Sequence, residues 1–153
     1  MNGEQGGAEW FYDTVVEPTV SEFLKKPDDI RHGILAALVV SHMAEHYYNA
    51  RQPITGISSV QGFRQALRDE NGAFRLVSDV ADAIKHVTRS KHRGKDRLGF
   101  EDVEATPIDM SNLRAGWPIG GTQVIVEDGN TEWLLSHLVK AAIEMWQKKL
   151  ERS

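Results

Sequence analysis

Apolar residues recur every three or four positions along most of this 153-residue chain, which is the spacing of one face of an α-helix. The longest such stretch runs from Pro27 to Ala50 and opens with two aspartates, which suit the positive end of a helix dipole. The pattern predicts a short helix at Glu9–Val16, after which Glu17-Pro18 restarts a turn, and the long helix at 28–50. A third helix is capped by Ser58 or Ser59 and ends near Glu70, and a fourth is Ala73–Arg89. The last helix is capped by Asn130 or Thr131 and ends near Leu150.

Between residues 90 and 128 the helical period is lost, because glycines and prolines interrupt it. Gln123–Glu127 has the composition of a short strand, and Leu98, Phe100 and Val103 form a weaker one. We therefore predict a mainly α fold, a four- or five-helix bundle with a small two-stranded β insertion before the C-terminal helix. Residues 1–8 are predicted to be a flexible tail and residues 9–153 a single helical domain, with the insertion at about 98–128.

The amino-acid composition and the absence of certain motifs exclude several classes of site and of protein. The chain has no cysteine, which excludes disulfides, thiolate metal sites, thiol catalysis and iron–sulfur clusters. It has no apolar run near the ~20 residues that cross a bilayer, and its N-terminus is unlike a signal peptide, so we expect a cytoplasmic protein with no membrane partner. The glycine motifs of nucleotide-binding loops and the serine-hydrolase motif are absent from the sequence.

The sharpest chemical pattern is His42-Met43-Ala44-Glu45-His46 in the predicted long helix. On a helical wheel, His42 falls between Leu35 and Leu38, which predicts that it lies on or beside the inward apolar face. Two histidines at i and i+4 can share one zinc ion, and the string matches the H-x-x-E-H pattern of inverted zinc peptidases, with Glu45 as the general base. The alternative is that both histidines are partly buried polar residues that bond to a neighbouring helix.

A second pattern is the stripe of Asp79, Asp82 and His86 at i, i+3 and i+7. If it faces the long helix, these residues join His42 and His46 in a site suited to zinc, iron or manganese. The favoured alternative is a solvated face, on which Arg75–Asp79 and Asp82–His86 are ordinary i, i+4 pairs.

The charge distribution is uneven around a net charge of −4. Residues 85–97 carry a local charge of +5, whereas residues 98–132 carry −6. The basic run could follow a nucleic-acid backbone through these residues: Arg89, Lys91, Arg93, Lys95 and Arg97. The alternative, which we favour, is a mobile loop that pairs with the acidic segment after it.

Asp79–His86 also resembles the D-[IV]-A-[ND]-A-x-K-H string of small, mostly helical, uncharacterised bacterial proteins, in which a paired-histidine segment often lies on an earlier helix. The resemblance extends over about 28–86. Those proteins in turn resemble the HEPN superfamily of helical RNA-acting domains, which implies a helical fold. None of the six histidines has an arginine five to seven residues before it, so the catalytic R-x(4–6)-H motif is absent and no RNase activity is implied.

The sequence leaves three functions open, and an enzymatic activity is not established. The first is partner binding or self-association by a small helical protein, which we rank highest. The second is a divalent-metal site, with hydrolysis as its chemistry, between helices 28–50 and 73–89. The third is nucleic-acid contact through the basic loop 89–97.

Overall fold

The computed structural model describes residues 7–85 and 98–152, and it confirms the mainly α fold class. A small antiparallel sheet precedes the C-terminal helix, as predicted. The helices are α1 (Ala8–Phe11), a π-helical segment (Tyr12–Val16), α2 (Glu17–Lys25), α3 (Ile30–Arg51), α4 (Val60–Glu70), α5 (Gly72–Lys85) and α6 (Leu135–Lys149). The strands are β1 (Val103–Pro107), which follows a 3₁₀ turn (Phe100–Asp102), β2 (Thr122–Asp128) and β3 (Thr131–Leu134).

The long helix α3 occupies the centre of the bundle, where it packs against α1, α2, α4, α5 and α6. Asp29 caps its first turn, since the Asp29 side chain accepts a hydrogen bond from the backbone N–H of His32 over 3.1 Å. Gly33 allows the close approach of α2 and α6, because a Cβ at this position would lie 2.9 Å from Leu135 Cδ2 and 3.1 Å from Phe23 Cε1. The predicted helix 28–50 is therefore present, with bounds shifted by one or two residues.

One large apolar core fills the space between α3 and its neighbours. Its largest enclosed side chains include Trp146, Phe23, Phe74 and Met43. The indole Nε1–H of Trp146 donates to the backbone carbonyl of Val40 over 3.1 Å, which satisfies the polar atom of this buried ring. This contact fixes α6 against the middle of α3.

Ser59 caps α4 as predicted, since its side chain accepts a hydrogen bond from the Gly62 N–H over 3.0 Å. An Asn-Gly pair after a helix is typical of a left-handed stop, but Asn71-Gly72 does not end this helix in that conformation. Asn71 has φ of −137°, and its side chain accepts from the Phe74 N–H over 2.9 Å. Asn71 therefore begins α5 as its cap, and the two helices follow each other directly.

The sheet has three strands in the order β1-β2-β3, one more than the predicted pair. The extra strand is Thr131–Leu134, which the sequence pattern places at the start of the last helix; α6 instead begins at Leu135. Trp133, which falls within that predicted helix, lies on β3 and is 41% exposed. Val126, opposite Trp133, belongs to the main core, whereas Ile125 and Leu134 form a second small cluster with Ile108.

The N-terminal boundary differs slightly from the prediction. Ala8, placed in the flexible tail, begins α1 and is fully buried in the main core. Residues 1–6 lie outside the described residues. In the described part of the chain, none of the helices combines the length and the apolar character that a bilayer crossing requires.

Candidate protein-interaction surface

His42 lies on the exposed side of α3, and its side chain is 46% exposed. Its Nε2 atom lies 3.0 Å from Lys85 Nζ at the end of α5, and its Nδ1 atom lies 3.4 Å from Glu45 Oε2. Because an ammonium group only donates, a charged Lys85 makes Nε2 the acceptor and leaves the ring hydrogen on Nδ1, towards Glu45. A metal ion at Nε2 would have to displace Lys85.

Glu45, the predicted general base, is held by Arg64 of α4. The distance from Arg64 Nη1 to Glu45 Oε1 is 3.2 Å, and the same nitrogen donates to the backbone carbonyl of Ser41 over 2.8 Å. Arg64 Nη2 also donates to the hydroxyl of Ser41. This arrangement connects α4 to α3. The Glu45 carboxylate therefore has a structural role in addition to the predicted role of a general base.

His46 has a different environment from His42, although both lie on α3. Its ring stacks on Phe11 of α1, with 3.8 Å between the ring centroids and 11° between the planes. His46 is half-buried by this contact. The alternative prediction was a partly buried residue hydrogen-bonded to a neighbouring helix; His46 is partly buried, and its contact with the neighbouring helix is ring stacking.

Asp79 is not on a solvated face, so that prediction is wrong for this residue. Asp79 is 2% exposed, and its Oδ1 atom lies 2.8 Å from Arg68 Nη1. Its Oδ2 atom lies 3.8 Å from Arg75 Nη1, which is the predicted i, i+4 pair in a buried setting. Asp82, one turn later, is half-buried. The Asp79 carboxylate therefore forms ion pairs with two arginines.

Within residues 7–85 and 98–152, no three histidine or carboxylate side chains come together in a group that could hold a metal ion. His86 and the basic residues Arg89, Lys91, Arg93, Lys95 and Arg97 lie outside the described residues. The metal site that includes His86 and the nucleic-acid contact through 89–97 therefore stay predictions.

Residues 7–85 and 98–152 leave one surface of α3 open, which the sequence pattern did not indicate. Small and medium-sized side chains of this helix face the core, among them Ala36, Ala37, Val40 and Ala44. The opposite side carries exposed and half-buried residues at successive spacings of four, three, four, three and four. This surface, the α3 stripe, consists of Arg31, Leu35, Leu38, His42, Glu45 and Asn49.

The α3 stripe combines an apolar centre with charged ends. Leu35 is 42% exposed and Leu38 is half-buried, so both present apolar surface to solvent. Arg31 is exposed and has no ion-pair partner among the described residues. The pKa of neighbouring Asp29 lies below its usual value, first because Asp29 accepts the His32 N–H, and the charge of Arg31 adds to this.

The alternating spacing of four and three is the heptad pattern by which one helix packs against another. This spacing was visible in the sequence, but the wheel alone did not show which side of α3 faces the core. Helices α1, α2, α4, α5 and α6 cover the side with small residues, because small side chains let neighbouring helices approach closely. Leu35 is thereby left exposed and Leu38 half-buried.

Comparisons of the chain with protein-family models, with curated proteins and with solved structures gave no match. The resemblance to the D-[IV]-A-[ND]-A-x-K-H proteins and to the HEPN superfamily therefore stays a prediction.

Proposed function

We propose that the protein is an interaction module that associates with protein, first of all with itself, through the α3 stripe. The observation that carries this proposal is the pair of leucines, exposed Leu35 and half-buried Leu38, at heptad spacing on a well-formed 22-residue helix. Apolar residues at heptad positions insert between side chains of a facing helix, which removes them from water. Helix α3 is already ordered by the bundle, so binding would cost little backbone entropy.

The expected affinity is modest. Full burial of a leucine side chain contributes about 1.5–3 kcal/mol, and each of these leucines is already partly covered in the monomer. The loss of translational and rotational freedom on association opposes this gain. We expect a dissociation constant of roughly micromolar size or weaker, so that association depends visibly on concentration.

Sedimentation equilibrium of the full chain tests the proposal over about a hundredfold range of concentration. The mean mass should rise above the 17.2 kDa of one chain as the concentration increases. Leu38→Lys should hold the mass at that of one chain, since a charge in the centre of the stripe would have to be desolvated.

Met110→Lys is the matched control. It makes a similar apolar-to-charged change at an 80% exposed residue between β1 and β2, so association should be retained. A wild-type mass of 17.2 kDa at every concentration would overturn the proposal. Equal loss of association in Leu38→Lys and Met110→Lys would overturn the assignment to the α3 stripe.

A further inference from the structure

We infer that the partner of the α3 stripe is the α3 stripe of a second copy, in antiparallel orientation, with the two-fold axis at Leu38. This inference rests on the proposed function and names the partner and its geometry. Leu38 would then contact the partner's Leu38 on the axis. Arg31 of each copy would pair with the partner's Glu45.

The positions of the two charges along α3 carry the inference. Arg31 is seven residues before Leu38, and Glu45 is seven residues after it. At 1.5 Å per residue, each lies about 10.5 Å from Leu38 along the helix axis. In an antiparallel pair centred on Leu38, Arg31 therefore lies level with the partner's Glu45, and the same contact occurs twice.

Both charged side chains can reach a partner. Arg31 is exposed and has no ion-pair partner within the described residues. The side chain of Glu45 is 39% exposed. Glu45 Oε2 is enclosed beside His42, whereas Oε1 accepts from Arg64. Because a carboxylate offers about four acceptor positions, about two on each oxygen, Oε1 of Glu45 can accept a second guanidinium in addition to that of Arg64.

The apolar contacts fit the same arrangement. Leu35 lies three residues before Leu38, so it comes level with position 41 of the partner, next to the exposed ring of the partner's His42. This ring, whose Nε2 atom lies 3.0 Å from Lys85 Nζ, can cover an aliphatic side chain with its flat face. The leucines of each copy are then enclosed between the two charged ends.

The same charges disfavour the parallel orientation. A parallel pair would place Arg31 beside Arg31 and Glu45 beside Glu45, and like charges in contact cost binding energy. An antiparallel pair uses the same surface on both copies, so it closes as a dimer and does not extend into a filament. The stripe therefore predicts a dimer as the end point of association.

Charge exchange tests the orientation. Arg31→Glu alone and Glu45→Arg alone should each weaken the dimer by roughly tenfold or more, because two favourable contacts become two unfavourable ones. An equimolar mixture of the two single variants should associate about as tightly as wild type. Arg31→Glu has two acidic residues at positions 31 and 45, and Glu45→Arg has two basic ones, so opposite charges face each other when the two variants pair. The double variant should also associate like wild type.

Glu45→Arg removes the contact with Arg64, so its folding is checked first by circular dichroism. A second pair of variants avoids this substitution. Glu45→Gln keeps an acceptor for Arg64, and the Arg31→Glu, Glu45→Gln double variant should bind more tightly than Arg31→Glu alone, because the repulsion is removed.

The outcomes separate this inference from the proposed function. If Leu38→Lys abolishes association but Arg31→Glu does not weaken it, the antiparallel pairing is wrong and the α3 stripe remains the binding surface. The pairing is equally wrong if neither the mixture nor the double variants recover affinity. A wild-type chain that is monomeric at all concentrations overturns both.

Discussion

Asp79 of α5 and Arg68 of α4 form a buried ion pair, with 2.8 Å between Asp79 Oδ1 and Arg68 Nη1. Arg75 approaches the other oxygen of the same carboxylate and also reaches Asp128 at the end of β2, over 3.4 Å. The charges thus connect two consecutive helices with the sheet. A buried pair of this kind adds little by itself, but removal of one partner leaves an uncompensated charge.

We expect Asp79→Ala to lower the free energy of unfolding by about 3 kcal/mol or more. The guanidinium of Arg68, which is 14% exposed, would lose its close partner in a region of low polarity. Urea denaturation of the purified chain, followed by circular dichroism, measures this change.

Asp69→Ala is the control for this variant. Asp69 adjoins Arg68 in the sequence, but it is exposed and accepts only from the side chain of Gln65, over 2.9 Å, among the described contacts. We expect a change within about 0.5 kcal/mol. Similar losses in the two variants would contradict the structural importance of the buried pair.

Gly33→Ala should destabilise the protein although it removes a glycine from a helix. Alanine is favoured over glycine within a helix by about 1 kcal/mol. At Gly33, however, the new methyl group would lie 2.9 Å from Leu135 Cδ2 and 3.1 Å from Phe23 Cε1, and both residues are fully buried. We expect a net loss of about 1–2 kcal/mol in unfolding free energy, since overpacking costs more than the helix gains.

Gly72→Ala provides the comparison, because no atom lies within 4 Å of its ideal Cβ position. Gly72 is the first residue of α5 and is exposed. We expect no loss and up to about 1 kcal/mol of gain, measured by the same denaturation. If Gly33→Ala were as stable as Gly72→Ala, the close approach of α2 and α6 to α3 would not constrain this position.

The helical fold was predictable because the apolar period of three to four residues extends over most of the chain. The orientation of α3 was not predictable in the same way. Leu35 and Leu38 are the more apolar residues, yet the bundle buries Ala36 and Ala37, which permit close helix contacts. The prediction that His42 and the two leucines lie on or beside the inward face is wrong for His42 and Leu35, which are 46% and 42% exposed, because the tertiary packing turns this side of α3 towards solvent.

The buried Asp79 shows a second limit of sequence patterns. Its spacing from Arg75 predicted an ion pair, which the structure contains. The decisive partner is Arg68, eleven residues away on another helix, and nothing in the local pattern identifies that contact. Similarly, Thr131–Leu134 had a plausible helical period, but pairing with β2 made it a strand.

Asn71→Ala should destabilise α5 by about 1 kcal/mol. Asn71 is the cap of this helix, since its side-chain oxygen accepts the Phe74 N–H over 2.9 Å, and alanine cannot replace that acceptor. Asn71→Asp should retain most of the stability because aspartate caps equally well. Equal stability of the alanine and aspartate variants in urea would show that the cap is energetically unimportant.

The ion pair between Glu9 and Arg51 should make stability depend on pH in the acidic range. Glu9 lies in α1 and Arg51 ends α3, so the pair joins the N-terminal helix to the central one. The pKa of Glu9 lies below its usual value of 4.5, chiefly because Arg51 donates a hydrogen bond to the carboxylate, with smaller effects of the charges of Arg51 and Arg152. Folding therefore favours the deprotonated form.

A lowered folded-state pKa means that this stabilisation is complete above the usual value of 4.5 and is lost as the pH falls through the folded-state pKa. We expect the urea midpoint of wild type to fall more between about pH 6 and about pH 3 than that of Glu9→Gln, which has no proton to bind at this position. Glu22→Gln, at an exposed glutamate of α2, should retain the wild-type pH dependence. Identical acid profiles for wild type and Glu9→Gln would mean that the pair does not couple α1 to α3 in solution.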